Sequence, residues 1–322
     1  MAISFDKKIQ GVFQRVFIGI DGGGTKTNVS VLDTEGRLIF SDSFGPSNLL
    51  NGADFDDNLS ILFKDICSSL KDSFRGKTLL NISAGFAGTS SNNPEVKFRS
   101  VQKKSCLGYD VALENLSIMS DALLALNAYF PNKPGLLLIS GTGSICYGKD
   151  EDGKIFRTGG FGYLIDDGGS GLWFGKEAVK AALYSHHHYN EKSILEEMVF
   201  DYFRIKDPAE IYDIIYKSDS KTLISTAAEL VFKAHEEECK IADKIIQKGA
   251  EELVYLVKNC SKLIKDKAPC VVLHGSVFKQ EYLVELIKKK LIEYMNIYIS
   301  DKRIDLEAAN ILLENYLRSK DL

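Results

Sequence analysis

The apolar positions of this chain repeat one order twice. Val16-Phe17-Ile18-Gly19-Ile20 is a continuous hydrophobic run, cut by Asp21 and Gly22-Gly23-Gly24 and resumed at Val29, Val31 and Leu32. A run without alternation predicts a strand buried on both faces, here the first arm of a hairpin. Residues 16–33 and 37–43 predict three strands, with Thr34-Glu35-Gly36 turning between the second and third. The loop Gly45-Pro46-Ser47-Asn48 follows. Phe55, Leu59, Leu62, Phe63, Ile66, Leu70 and Phe74 recur at helical spacing and predict a helix over 54–74. A strand at 79–84, a helix at 94–107, a short strand at 116–119 and a helix at 122–129 complete the order βββαβαβα.

At Pro134-Gly135 the order restarts. Leu136 to Ile139 is apolar, Ser140-Gly141-Thr142-Gly143-Ser144 is a second small-residue tip, and a second strand runs to Gly148. Asp152-Gly153-Lys154 turns into a third strand as Glu35-Gly36-Arg37 does. Two strand, glycine loop, strand units about 120 residues apart indicate an internal duplication. Helical periodicity over 175–184, 193–204, 208–217, 221–236 and 241–265 predicts a helical addition to the second copy. Strand 270–273, helix 279–289 and a last helix over 306–317 close the chain.

Three glycines after a buried strand place bare main chain where a ligand can approach it. Successive N–H groups make an anion nest, to which Thr25 and Thr27 add hydroxyls and Lys26 adds charge, so phosphate is the natural ligand. Asp21 would repel a polyphosphate unless a cation lay between them, which makes it a ligand for hydrated Mg²⁺. Asp-Gly-Gly is also an ordinary hairpin tip. The loop lacks the P-loop spacing and leads into a strand, so neither a P-loop nor a dinucleotide fingerprint explains it. Its recurrence favours the phosphate reading, with one loop on each side of a nucleotide.

Composition narrows the class. The chain has 322 residues, enough for two domains, with 45% hydrophobic and 26% charged residues and a formal net charge of −4. Nothing in that balance points to nucleic acid or an anionic membrane. The six cysteines show no CxxC and read as reduced core residues of a cytoplasmic protein. No apolar run reaches membrane-spanning length, and the N-terminal residues lack the core of a signal peptide.

Six motifs in order carry a resemblance to the BadF/BadG-type group of the actin, hexokinase and Hsp70 ATPase superfamily, and within it to N-acetylglucosamine kinase-like sugar kinases. They are Ile20 to Thr27, Ser83 to Gly88, Asp121-Ala122, Ser140 to Ser144, Gly159-Gly160-Phe161-Gly162 with Asp166 to Ser170, and Leu273-His274-Gly275-Ser276-Val277. The resemblance implies an α/β fold of duplicated ribonuclease H-like domains around a central cleft. Residues 1–130 with the C-terminal helix 306–322 would form one domain, and 131–305 with its helical insertion the other.

It implies ATP and Mg²⁺ as cofactors, with Gly22, Gly23, Gly24, Thr25, Lys26, Thr27, Gly141, Thr142, Gly143, Ser144, Gly275 and Ser276 around ATP and Asp21 at the metal. It implies an amino-sugar acceptor, most closely N-acetylglucosamine, phosphorylated on its 6-hydroxyl in amino-sugar or cell-wall sugar salvage. Asn48, Asp121, Gly159, Gly160, Gly162 and Asp167 would hold the sugar, with Asp121 the proton acceptor. Asp121 before an apolar helix also reads as an N-cap, and Pro-Ser-Asn as turn composition. A homodimer is implied, without nucleic acid or membrane partners. One departure is Glu307-Ala308, where the family has Gly-Ala at the start of the last helix.

Two other classes share this fold. Activators of 2-hydroxyacyl-CoA dehydratases need glycine-flanked cysteines for a cluster shared between subunits, whereas Cys239, Cys260 and Cys270 have apolar or charged neighbours. A sugar-responsive repressor needs a helix-turn-helix ahead of the first strand, which the 15 residues before Val16 cannot hold. His186-His187-His188 reads as a polar helix end, since adjacent imidazoles point apart. Lys288-Lys289-Lys290 reads as a solvated helix face.

Overall fold

A computed structural model describes residues 13–24, 26–49, 52–89, 94–189, 191–216, 220–264, 270–300 and 302–320. The chain divides into two units, one ending at Pro131 and rejoined from Lys302, the other between them. The first unit carries β1 (Gln14–Gly22), β2 (Thr27–Asp33), β3 (Leu38–Phe44), α1 (Gly52–Ser73), β4 (Thr78–Phe86), α2 (Pro94–Ser105), β5 (Val111–Ser120) and α3 (Asp121–Tyr129). Its sheet runs β3-β2-β1-β4-β5, with the first three strands antiparallel and β1, β4 and β5 parallel. The predicted 116–119 strand is thus the end of a longer edge strand.

The second unit repeats this plan with β6 (Gly135–Ser140), β7 (Ser144–Lys149), β8 (Ile155–Gly159), β9 (Cys270–His274) and β10 (Asn296–Ile299), in the order β10-β9-β6-β7-β8. Strand β10 falls where the apolar pattern predicts nothing, because it is four residues long and mostly exposed. Between β8 and β9 lie α4 (Gly171–His186), α5 (Ile194–Phe203), α6 (Tyr212–Ile215), α7 (Ser220–Thr226), α8 (Ala228–Glu236) and α9 (Lys240–Ser261). The single helix predicted over 221–236 is therefore two. Helix α10 (Glu281–Leu291) follows β9 after a short 3₁₀ turn. Helix α9 buries Ala242, Ile245, Ile246, Gly249, Ala250, Leu253, Val254 and Val257, spaced as one helical face. The triple histidine ends α4, with His186 bonded to Glu196 at 3.1 Å.

The last helix, α11 (Ile304–Lys320), packs in the first unit and explains the unbroken apolar run of β1. Val16, Ile18 and Ile20 face Phe55, Leu59, Phe63 and Ile66 of α1. The alternate residue Phe17 joins Leu32, Ala309 and Leu313 on the α11 side. Gly19 shares that side, and a Cβ there would collide with the Asp305 carbonyl and lie 2.8 Å from the Ala309 amide. Close packing survives the Glu307 departure because the glycine sits on the strand; Glu307 points outward to Lys302 at 2.8 Å.

Candidate functional site

In the first unit the β1–β2 hairpin ends at the Gly22–Thr27 pair, and the Gly23 amide donates to the Lys26 carbonyl at 2.9 Å. Thr25 lies outside the described residues. The glycines here differ in kind. A Cβ on Gly22 would run into the Phe86 ring, so that glycine serves packing. A Cβ on Gly24 would meet nothing within 4 Å, so among the described residues it fronts open space. Thr27 is fully buried, its hydroxyl donating to the Gly45 carbonyl at 2.9 Å and lying 2.7 Å from Ser47 Oγ. The Ser47 amide bonds to the Gly23 carbonyl at 3.3 Å, and the Leu49 amide to Ala87. Asn48, half-buried, is thereby carried on a loop tied on one side to the glycine hairpin and on the other to the end of β4.

Asp21, at the end of β1 beside this hairpin, feels the charges of two other carboxylates, Asp121 and Asp305. Alternation along β1 puts Asp21 on the face of Phe17 and Gly19, which α11 covers. Its register partner on β4 is Gly85, where a Cβ would lie 3.0 Å from the Asp121 Cα. A glycine at 85 thus lets the start of α3 approach the strand carrying Asp21. Burial first, then the charges of Asp121 and Asp305, push the Asp21 carboxyl up to about 7, with Lys26 pulling the other way. Burial also raises the Asp121 carboxyl, against the Ala122 amide that donates to it at 2.8 Å. Asp121 is not the cap of its helix: Ser120 is, accepting from the Leu123 amide at 3.2 Å. The Asp121 carboxylate is therefore free of the capping role that its sequence position also suggests.

Asp305 escaped the sequence reading. It is buried, accepting from Ser30 Oγ and Arg303 Nη2, each at 2.6 Å, while Arg303 reaches Ser41 at 2.8 Å. These bonds fasten the start of α11 to β2 and β3. Among the described residues no three His, Cys, Asp or Glu side chains converge as a metal-binding group. A cation at Asp21 would therefore keep most of its shell as water and phosphate, as Mg²⁺ characteristically does.

In the second unit the loop 140–144 rests on the segment that starts α4. Ser140 Oγ donates to the Gly169 carbonyl at 2.9 Å and Ser144 Oγ to Gly168 at 2.8 Å. The first amides of α4, at Gly171 and Leu172, donate to the carbonyls of Gly141 and Thr142. The positive end of that helix thus stands directly behind the loop. Ser170 caps the helix through the Trp173 amide. A Cβ on Gly141 would meet nothing within 4 Å, whereas one on Gly143 would touch Asp167 at 3.0 Å. Asp167, buried and left-handed at φ 70°, accepts from the Ser144 amide at 3.3 Å; burial raises its carboxyl. Gly275, at φ 119°, packs under this loop, where a Cβ would lie 2.7 Å from the Ser140 carbonyl carbon, with Ser276 exposed beside it.

Gly159, Gly160 and Gly162 all take positive φ. Cβ atoms on the first two would meet Leu256 at 2.7 Å and Ile145 at 2.5 Å, while Gly162 faces open space. Arg157 bridges the carbonyls of Gly159 and Gly160 at 3.0 and 2.5 Å.

Two units of one α/β plan, each with a glycine tip between its first two strands, define the actin and hexokinase-like class of fold. Residues 18–304 match the BadF/BadG/BcrA/BcrD ATPase family, and the chain belongs to it. A Clostridium acetobutylicum protein named N-acetylmuramic acid/N-acetylglucosamine kinase is 32% identical over 279 residues, covering 85% of this chain and 89% of that one. The N-acetyl-D-glucosamine kinase of Dictyostelium discoideum is 25% identical over 307 residues, covering 91% and 95%. A Chromobacterium violaceum crystal structure described as a candidate N-acetylglucosamine kinase superposes with a TM-score of 0.73 at 19% identity, covering 92% of this chain and 99% of that one.

Proposed function

We propose that this protein is an ATP-dependent sugar kinase that phosphorylates the 6-hydroxyl of an amino sugar, N-acetylglucosamine foremost, with N-acetylmuramic acid or glucosamine as further acceptors, in salvage of amino or cell-wall sugars. The observation that carries the reading is the half-buried Asp21, its carboxyl raised by burial and by the charge of Asp121, beside a glycine hairpin whose tip fronts open space among the described residues. Phosphoryl transfer to an alcohol asks for charge neutralisation, positioning and an acceptor for the hydroxyl proton. Burial, and after it the charges of Asp121 and Asp305, lift Asp21, and a divalent cation would offset both. Mg²⁺ bound there would neutralise phosphate charge as it develops.

The protein's own groups carry the remaining tasks. Asp121 accepts the proton of the acceptor hydroxyl as that oxygen bonds to the terminal phosphorus and ADP leaves. Burial raises its pKa, which makes it a better base than an exposed aspartate. Gly23 to Lys26, on a tip that Gly22 and the buried Thr27 brace from behind, and Gly141 to Ser144 contact phosphate, the second loop with the α4 terminus behind it; Gly275 and Ser276 contact the adenosine. Asn48, with Asp167 and the 159–162 glycines, holds the sugar hydroxyls. Cys239 and Cys260 are buried, which weighs against the cluster-bearing activator reading. The proposal includes a cytoplasmic homodimer, to be checked by light scattering.

The test is a coupled ADP-release assay with N-acetylglucosamine, N-acetylmuramic acid, glucosamine and glucose, followed by NMR assignment of the phosphorylated carbon. Turnover on an amino sugar with phosphate on C6 is expected. Normal ATP binding with no turnover on any of the four would overturn the proposal.

A further inference from the structure

Asp166 and Asp167 are adjacent, yet they serve different places. Asp167 turns to Gly143 and Ser144 of the glycine loop. Asp166 accepts from the Phe161 amide at 3.1 Å and lines a separate cavity of about 520 Å³ between the 157–168 segment and α9. Nothing from Ser140 to Ser144 lines this cavity among the described residues. From α9 come Glu252, packed over Gly168, with Tyr255 and Leu256. From the other wall come Asp166 and Phe161, whose ring lies 4.7 Å from the Arg157 guanidinium. The Phe161 and Tyr255 side chains are 68% and 67% exposed, so both stand open to an incoming ligand.

The lining selects a ligand class. Two carboxylates against one guanidinium, itself held by two backbone carbonyls, disfavour phosphates and other anions. Ionised walls disfavour a purely apolar ligand. Carboxylates that accept from pairs of hydroxyls, with aromatic faces nearby, suit a polyol ring. A cavity of this size lies within the range of small-molecule sites.

We propose that this cavity is a second carbohydrate site, taking a neutral or amine-bearing pyranose ring, on the side of the glycine segment away from the 140–144 loop. A ring bound between Glu252 and Asp166 ties α9 to the segment carrying Gly159, Gly160 and Gly162. Leu256 lines the cavity and also packs against Gly159, so occupancy bears directly on that segment. The cavity shares Gly159 with the proposed acceptor site, and its occupancy is read without phosphoryl transfer.

The experiment is hydrogen exchange and saturation-transfer NMR on the full chain without ATP. The probes are N-acetylglucosamine and its β-1,4-linked dimer, and Asn48→Ala serves as background to weaken the proposed acceptor site. Saccharide-dependent protection of segments 157–168 and 252–259 is expected, with affinity reduced roughly tenfold or more by Tyr255→Ala or by Glu252→Gln. Tyr255 is largely exposed, so its variant should fold, as a melt will verify. Saccharide binding without protection at those segments, binding indifferent to both substitutions, or no binding at all would each overturn the second site. The kinase proposal is judged separately by ADP release.

Discussion

The two glycine loops sit at the same place in the same strand order, and they are supported in opposite ways. The first follows Asp21, whose carboxyl is raised by burial and by the charges of Asp121 and Asp305, and its tip fronts open space among the described residues. The second rests on the amino end of α4, whose leading amides are bonded to its carbonyls. The same bend thus occurs twice, and under the proposed function the first would serve a cation and a proton and the second an anion. Within each loop, one glycine packs against protein while another fronts nothing: Gly22 against Gly24, Gly143 against Gly141. A glycine-rich motif is thus a mixture of packed and open positions.

The largest expected effect tests that division in the second unit. Gly141→Val should abolish turnover while leaving the melting temperature nearly unchanged, because the added atoms enter space that no protein atom occupies. Gly275→Ala should do the reverse in emphasis, costing about 1–3 kcal/mol of stability through its positive φ and the overlap with Ser140. Equal melting losses for both would erase the distinction.

Next in size is Asp121→Asn. With Ser120 as the cap, stability should change by well under ~1 kcal/mol. Loss of the base should lower turnover at least roughly 100-fold, with a smaller change in sugar affinity. The wild-type kcat/KM should fall on the acid side through a pKa above the ordinary ~3.9 of aspartate, because the base must be ionised and burial raises its pKa. An early-melting variant with near-normal turnover would make Asp121 structural.

Smaller again is the same division in the first unit. Gly22→Ala must displace the Phe86 ring and should cost about 1–3 kcal/mol in chemical denaturation. Gly24→Ala should stay within about 0.5 kcal/mol of wild type yet weaken nucleotide binding. A Gly24 variant as unstable as the Gly22 one would show that the tip packs on something.

These comparisons also mark what the sequence made legible. The strand run 16–20, the glycine tips and the duplication were readable because buried strands, phosphate nests and repeats each leave a local pattern. Asp305 left none: an aspartate at the start of an apolar helix is ordinary, and its bonds to Ser30 and Arg303 join distant parts of the chain. Ser120 and Asp121 are both good capping residues, and backbone geometry alone separates them. Asp166 and Asp167 are chemically identical neighbours, distinguished by which wall each side chain reaches. Strand β10 is too short and exposed to carry a pattern.

The smallest effect concerns a turn that both copies keep. Asp33 and Asp150 each accept the amide four residues on, at 2.9 Å from Arg37 and 2.8 Å from Lys154. Gly36 and Gly153 supply φ of 79° and 77°. The copies differ in burial and in partners. Asp33 is 3% exposed and also accepts from the Glu35 amide and the Arg37 side chain, which outweigh burial and hold its carboxyl below the ordinary aspartate value. A depressed pKa contributes stability above the unfolded-state pKa near ~3.9, and that contribution is lost as pH falls through the folded-state pKa. Asp33→Asn should therefore melt below wild type at neutral pH, and the gap should close as the pH is lowered past that window. Asp150→Asn, at a half-buried turn with fewer partners, should produce the smaller gap at neutral pH. A gap for Asp33→Asn that persists unchanged into acid would mean the amide fails for shape and not for charge, and the two turns would then differ only in burial.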